Sequence, residues 1–122
     1  MNNQILVIDD ERAVRDSFEL ALEDEGFEIR TAENGLEGVE KVKELKPDLV
    51  FLDLKMPKLD GVETLRQIKA IDTSIPVYIV TAFQREFMEP LNNAVADGLQ
   101  FELAAKPLSA EQIVAIAKAK LG

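Results

Sequence analysis

Pro47-Asp48-Leu49-Val50-Phe51-Leu52-Asp53-Leu54-Lys55-Met56-Pro57-Lys58-Leu59-Asp60-Gly61 is the stretch whose reading decides the fold. Leu49 to Leu52 is a short unbroken apolar run, the pattern of a strand buried on both faces, and it delivers one carboxylate, Asp53, to the strand's exit. Met56-Pro57 forbids simple continuation of a strand or helix, and Asp60-Gly61-Val62-Glu63 reads as an N-cap with Glu at the capping-box position. Asp53 therefore stands at the start of a loop between a strand and a helix.

Working outward, the chain repeats that pattern. Gln4 to Ile8 is an apolar strand ending in Asp9-Asp10-Glu11, followed by Val14, Phe18, Ala21 and Leu22 at helical spacing until Gly26 closes the segment. Phe27 to Thr31 alternates apolar and charged residues, as suits an edge strand. Asn34 caps a second helix predicted from about Gly35 to Lys46, with Leu36, Val39, Val42 and Leu45 as its apolar stripe. After the central stretch come a helix carrying Val62, Leu65, Ile68 and Ile71, and a strand from Pro76 to Val80 that exits at Thr81. Phe83 to Met88 signals a helix poorly; Pro90 is tolerable only in a first helical turn, with Leu91, Ala94 and Val95 behind it and Gly98 closing. Leu99 to Ala104 reads as a fifth strand, and Ser109-Ala110-Glu111-Gln112 as a capping box opening a last helix with Ile113, Ile116, Ala117 and Leu121.

Five strands alternating with five helices predict one α/β domain over residues 1–122, a parallel sheet with helices on both faces and right-handed crossovers. Its length suits a single core that removes roughly two thirds of the unfolded surface from water. Cys and His are both absent, which excludes disulfides, thiolate sites, Cys nucleophiles and the commonest general base and zinc ligand. With 23 acidic against 14 basic residues the net charge is −9, which disfavours nucleic acid and anionic membrane surfaces as partners. The N-terminus has no basic leader region and no apolar run approaches a membrane span, so a cytoplasmic location is expected.

In open parallel sheets the ligand site lies beyond the carboxyl ends of the strands. Asp9 and Asp10, Asp53, Thr81 and Lys106 all fall at such ends. Three carboxylates in one crevice repel one another and call for a cation; with only oxygen donors available, Mg²⁺ fits and zinc or copper does not. A carboxylate is itself a competent nucleophile toward phosphorus, and a metal, a Lys and a hydroxyl suffice to neutralise the phosphoryl oxygens. In this reading Asp53 attacks, Asp9 and Asp10 hold Mg²⁺, Lys106 pairs with Asp53 or a phosphoryl oxygen, and Thr81 donates to another.

Ile-Asp9-Asp10-Glu, Leu-Asp53-Leu-Lys-Met-Pro-Lys-Leu-Asp-Gly61, Val-Thr81-Ala82 and Ala-Lys106-Pro107 together resemble the motif set of receiver domains of two-component response regulators, in order and over essentially the whole chain. The resemblance implies strand order 2-1-3-4-5, Asp53 as phosphoacceptor and metal ligand, Asp10 as a direct Mg²⁺ ligand, Asp9 as a ligand mostly through water, and the Lys55 backbone carbonyl as the third protein ligand. It also implies a cis Lys106-Pro107 peptide, a shift of Thr81 toward the phosphoryl group as the switch, and a sensor histidine kinase or histidine phosphotransfer protein as donor. A downstream protein target completes that picture, and the chain is expected to be a signalling phosphoacceptor rather than an enzyme acting on other substrates. One departure is visible: the family's aromatic three residues before the Lys is Leu103 here, with Phe101 two residues earlier. Single-domain phosphorelay intermediates of the sporulation type share that lack, and this chain resembles them in length and in its Ala-Lys-Pro ending.

Each residue has a plainer reading. Asp9 and Asp10 suit a helix start, Asp53 a turn, Thr81 a strand end and Lys106 a solvated surface. Phe83, Phe87 and Met88 either pack under an irregular helix start or form a partner surface; Ala13, Val14 and Ser17 with Pro107-Leu108 form a rim on which a histidine kinase or phosphotransfer domain docks, a core role being the alternative for Val14. Two other functions use related chemistry. A haloacid-dehalogenase-like phosphatase also uses an Asp nucleophile with Mg²⁺ but needs a second acid where Lys55 stands. A flavodoxin-like FMN carrier needs a hydroxyl- and glycine-rich phosphate loop where Asp9-Asp10-Glu11 would repel the phosphate.

Overall fold

The fold is described from a computed structural model covering residues 3–122; Met1 and Asn2, part of the N-terminal stretch read above as leaderless, lie outside the described residues. Five strands, β1 (Gln4–Ile8), β2 (Glu28–Ala32), β3 (Leu49–Leu52), β4 (Val77–Thr81) and β5 (Glu102–Ala105), form one parallel sheet in the order 2-1-3-4-5. Five α-helices alternate with them: α1 (Arg12–Leu22), α2 (Gly35–Glu44), α3 (Gly61–Ile71), α4 (Met88–Ala96) and α5 (Ala110–Leu121). This is the expected doubly wound architecture.

The continuous apolar strands are explained by burial on both faces. Leu6, Ile8, Val50, Leu52 and Ile79 point to one side, where they pack with Val62, Leu65 and Ile68 of α3 and Leu91 and Ala94 of α4. Ile5, Val7, Leu49, Phe51 and Val80 point to the other, against Phe18 and Leu22 of α1 and Ile113 and Ala117 of α5. The Phe18 and Phe51 rings lie 4.9 Å apart and tilted, joining α1 to the middle of the sheet. On the first side α2 sits unusually close, because Gly38 has no side chain: a Cβ there would come 2.4 Å from Ile8 Cδ1.

Helix starts follow the caps read from sequence. Asn34 accepts from Glu37 N–H, Asp60 from Glu63 N–H, and Ser109 and Gln112 form a reciprocal capping box. Pro90 is the third residue of α4, within its first turn, and the residues before it form a tight 3-10 turn over Gln84–Phe87.

Several boundaries and faces differ from the expectation. The second helix stops at Glu44 rather than Lys46, because the Arg30 guanidinium on β2 takes the carbonyls of Lys41 and Leu45 at 2.8 and 2.6 Å and ends the helix there. Leu36 and Leu45, assigned to its apolar stripe, are each 50% exposed; the buried stripe is Gly35, Gly38, Val39 and Val42. Ile71 and Val95 are exposed for the same reason, being past the edge of their helices' buried faces. The second strand starts at Glu28, one residue later than expected, and the fifth at Glu102, three later and running on to Ala105, since Leu99 N–H is used to close α4 on the Ala94 carbonyl. Among the described residues no helix is long and apolar enough to cross a membrane.

Candidate functional site

The parallel ladder continues one bond beyond the strands and fixes the site's backbone. Asp53 N–H donates to Ile8 O at 3.0 Å, Asp9 N–H to Ala32 O at 3.1 Å, and Lys106 N–H to Thr81 O at 3.1 Å. The ends of β1, β3, β4 and β5 are held level, and the five sequence-picked residues, Asp9, Asp10, Asp53, Thr81 and Lys106, gather at one crevice. Asp9, Asp10 and Asp53 each bring a carboxylate oxygen within 4.8 Å of the others.

The three acids are not equivalent. Asp9 is 3% exposed, and both its oxygens are engaged: Oδ1 accepts from Glu11 N–H at 2.9 Å and Oδ2 from Lys106 Nζ at 2.7 Å. Asp53 is equally buried; its Oδ1 accepts from Leu54 N–H at 2.9 Å, leaving Oδ2 facing Lys106 Nζ at 3.5 Å. Asp10 is exposed, and its carboxylate has no hydrogen-bond partner among the described residues. The plainer reading of Asp9 as a helix cap is thus not what is found: α1 has Glu11 at its N-cap with no side-chain cap, and Asp9 instead braces the acidic turn.

Electrostatics follow from this burial. Burial pushes the Asp9 carboxyl above its usual range, against the pull of Lys106 and Glu11 N–H. Burial likewise pushes Asp53 up, the adjacent Asp9 adds to it, and the Lys106 charge opposes both. Burial works to lower Lys106, but its bond to Asp9 and the charges of Asp9, Asp53 and Glu11 outweigh that and hold the ammonium above its ordinary range. Lys106 is the cation of the crevice, and it leans toward Asp9 more closely than toward Asp53, the partner named from sequence.

Thr81 is buried; its Oγ accepts from Phe83 N–H at 3.0 Å, and its hydroxyl acts on the Asp53 carboxylate, whose charged form it favours. Beside it a groove of about 550 Å³ opens between the β4–α4 segment and β5, lined by Thr81, Phe83, Met88, Ala105 and Lys106. Phe83 and Met88 are partly exposed along it, whereas Phe87 turns inward against the core, so the irregular start of α4 divides its large side chains between both readings. Leu103 and Phe101 both pack against the same side of the core. On the first helix, Val14 packs on the core while Ala13 and Ser17 are exposed.

The loop after Asp53 is held by a close approach. Gly61 N–H donates to Leu54 O at 2.8 Å, and a Cβ on Gly61 would lie 2.2 Å from Asp53 O, so only glycine lets α3 abut the Asp53-Leu54 backbone. At the loop's outer end Lys55 Nζ lies 4.4 Å from the Phe83 ring centre and 3.4 Å from Glu86. The Lys106-Pro107 peptide is cis, as the resemblance implies. The all-oxygen donor set, one exposed carboxylate among two buried ones, suits Mg²⁺, which keeps several waters and binds few protein ligands.

Sequence reasoning missed Arg15, which donates from Nη1 to the Asp9 backbone carbonyl at 2.7 Å, and the bracing role of Glu11. The signal available was only their position within a turn of Asp9, which is too common to single out a residue.

A doubly wound sheet of this order with an acid crevice and a Lys at its strand ends defines a receiver-type α/β protein. Residues 5–118 match the response regulator receiver domain model, and the chain belongs to that family of two-component signalling proteins. It is 36% identical over 124 residues to the alkaline phosphatase synthesis transcriptional regulatory protein PhoP of Bacillus subtilis (strain 168), covering 99% of this chain and 49% of that protein. It is 41% identical over 83 residues to sporulation initiation phosphotransferase F of the same organism, covering 68% of this chain and 67% of that one. The crystal structure of a CheY-like response regulator receiver domain protein from Methanospirillum hungatei JF-1 superposes with a TM-score of 0.88 at 26% identity, covering 99% and 94% of the two chains. The chain spans about half the length of the full-length regulators it matches.

Proposed function

We propose that this chain is a cytoplasmic receiver-domain phosphoacceptor that takes a phosphoryl group from a histidine kinase or histidine phosphotransfer protein onto Asp53, and signals by partner binding or by onward transfer. The observation that carries the reading is the asymmetry of the crevice: a buried Asp53 with Oδ1 held by Leu54 N–H and with Lys106 and the Thr81 hydroxyl beside its carboxylate, opposite two acids of which only Asp10 is exposed. Family membership supports the phosphoacceptor chemistry, and the likeness to a sporulation phosphotransferase supports onward transfer.

In the proposed step Asp53 Oδ2 attacks phosphorus, the bond from phosphorus to the donor's imidazole nitrogen breaks, and the nitrogen keeps the electron pair, giving an aspartyl phosphate. Leu54 N–H holds Oδ1 and so aims Oδ2 outward. Lys106 Nζ stands close enough to neutralise a phosphoryl oxygen, and the Thr81 O–H beside Asp53 can donate to another. Asp10, Asp9 through water, and the Lys55 carbonyl would hold Mg²⁺, which supplies charge neutralisation at the phosphoryl oxygens. Gain of charge at Asp53 would draw on Thr81 and, through the Phe83 N–H, on the start of α4.

Intact mass after incubation with Mg²⁺ and acetyl phosphate tests the reading. One phosphoryl unit that requires Mg²⁺ and disappears in Asp53→Ala is the expected result. A folded, Mg²⁺-binding protein that takes no phosphoryl group from this donor, from phosphoramidate or from a phosphorylated histidine phosphotransfer domain would overturn it.

A further inference from the structure

Arg15 is a cation whose role the transfer step leaves unused. It projects from the first turns of α1 back across six residues, and its Nη1 donates to the Asp9 carbonyl oxygen at 2.7 Å. With this bond Asp9 is fixed at every polar atom: its N–H on Ala32 O, Oδ1 on Glu11 N–H, Oδ2 on Lys106 and its carbonyl on Arg15.

The Asp9 carbonyl shares a rigid peptide plane with Asp10 N, so holding that oxygen sets the direction in which Asp10 leaves the strand. No side-chain contact does this for Asp10, whose carboxylate is exposed and has no partner among the described residues. Its aim is a backbone property. We infer that Arg15 is a positioning residue for Mg²⁺: by clamping the Asp9-Asp10 peptide it points the Asp10 carboxylate into the crevice. The inference rests on the reading of Asp10 as a direct metal ligand.

Coulomb's law gives the opposite sign. A guanidinium beside a cation site repels the cation, so its removal, if charge alone mattered, would tighten Mg²⁺ binding. Positioning predicts weaker binding. Groups that orient a metal ligand from behind typically change affinity about 10–100-fold when lost, and a partner one peptide removed belongs at about tenfold.

Titration calorimetry with MgCl₂ on wild type, Arg15→Met and Arg15→Lys decides between them, with urea unfolding in EDTA as the check on folding. Arg15→Met keeps the apolar stem and loses the donor. The expected result is an Mg²⁺ dissociation constant raised about tenfold, with a smaller rise in Arg15→Lys, whose flexible stem and rotating ammonium hold a single bond less firmly than the planar guanidinium. Phosphorylation by phosphoramidate should then need about tenfold more Mg²⁺ for half-maximal rate and reach the wild-type plateau. Unchanged or tighter Mg²⁺ binding in Arg15→Met overturns the inference, as does a lowered plateau that excess Mg²⁺ fails to restore. Should Arg15→Met not fold, wild-type affinity in Arg15→Lys overturns it equally. Absence of Mg²⁺ binding in wild type would instead remove the reading of the site itself.

Discussion

Gly61→Ala tests how tightly the site is built into the fold. The added methyl would lie 2.2 Å from Asp53 O and 2.5 Å from Leu54 Cα, both backbone atoms that no rotamer change can clear. Relief to an ordinary contact requires the start of α3 to withdraw by about 1 Å from the Asp53-Leu54 peptide. Alanine's better helix propensity favours the variant by about 1 kcal/mol at most. Overpacking costs about 1–3 kcal/mol, and stretching the Gly61–Leu54 hydrogen bond about 1 more. The clash therefore prevails, with net destabilisation of about 1–3 kcal/mol measured by urea unfolding. Because Asp53 moves with that peptide, a misplacement of about 1 Å lowers the rate of phosphorylation by acetyl phosphate about 10²-fold, read by intact mass at saturating Mg²⁺. A variant that loses stability but is phosphorylated within twofold of wild type would refute the link between helix start and nucleophile. Unchanged stability would refute the packing argument as well.

Lys106→Met deprives two buried carboxylates of their shared cation, and a loss of about 1–3 kcal/mol in urea together with a 10²-fold or greater fall in phosphorylation rate is expected. Asp53→Asn should be more stable than wild type in EDTA at neutral pH. Burial raises the Asp53 pKa, so folded protein binds the proton first as pH falls, and wild type recovers that stability between the raised folded value and the ordinary 3.8. Unfolding curves compared from neutral pH downward should show the difference shrinking; a constant difference would contradict the assignment. Ser109→Ala removes the capping box of α5 and should lower stability by about 1 kcal/mol without altering phosphorylation by a small donor.

What the sequence made legible were features with a local cause. Leu49 to Leu52 announced a doubly buried strand because no polar residue interrupts it, and Asn34, Asp60 and Ser109 announced helix starts because caps act within three residues. The crevice followed from one rule about parallel strand ends applied to Asp9, Asp53, Thr81 and Lys106. Contacts between distant segments did not show. Arg30, on the neighbouring strand β2, binds the carbonyls at the end of α2, so Leu45 was assigned to a helix that stops before it. Gly38 rather than Leu36 faces β1, because the spacing between α2 and the sheet is set by Ile8. Lys106 favours Asp9 over Asp53 for a reason of distance alone, which no spacing along the chain encodes.

The order 2-1-3-4-5 leaves β2 and β5 as the sheet's two open margins. Unpaired backbone there is a template on which another chain can add a strand and begin a fibre. Here the hazard is blunted at both margins. β2 alternates Glu28 and Arg30 among its residues, with Arg30 folded back onto the end of α2, and β5 is four residues long, opens on Glu102 paired to Lys120, and runs into a proline that lacks the next donor. Such gatekeeping guards both margins against the addition of a further strand.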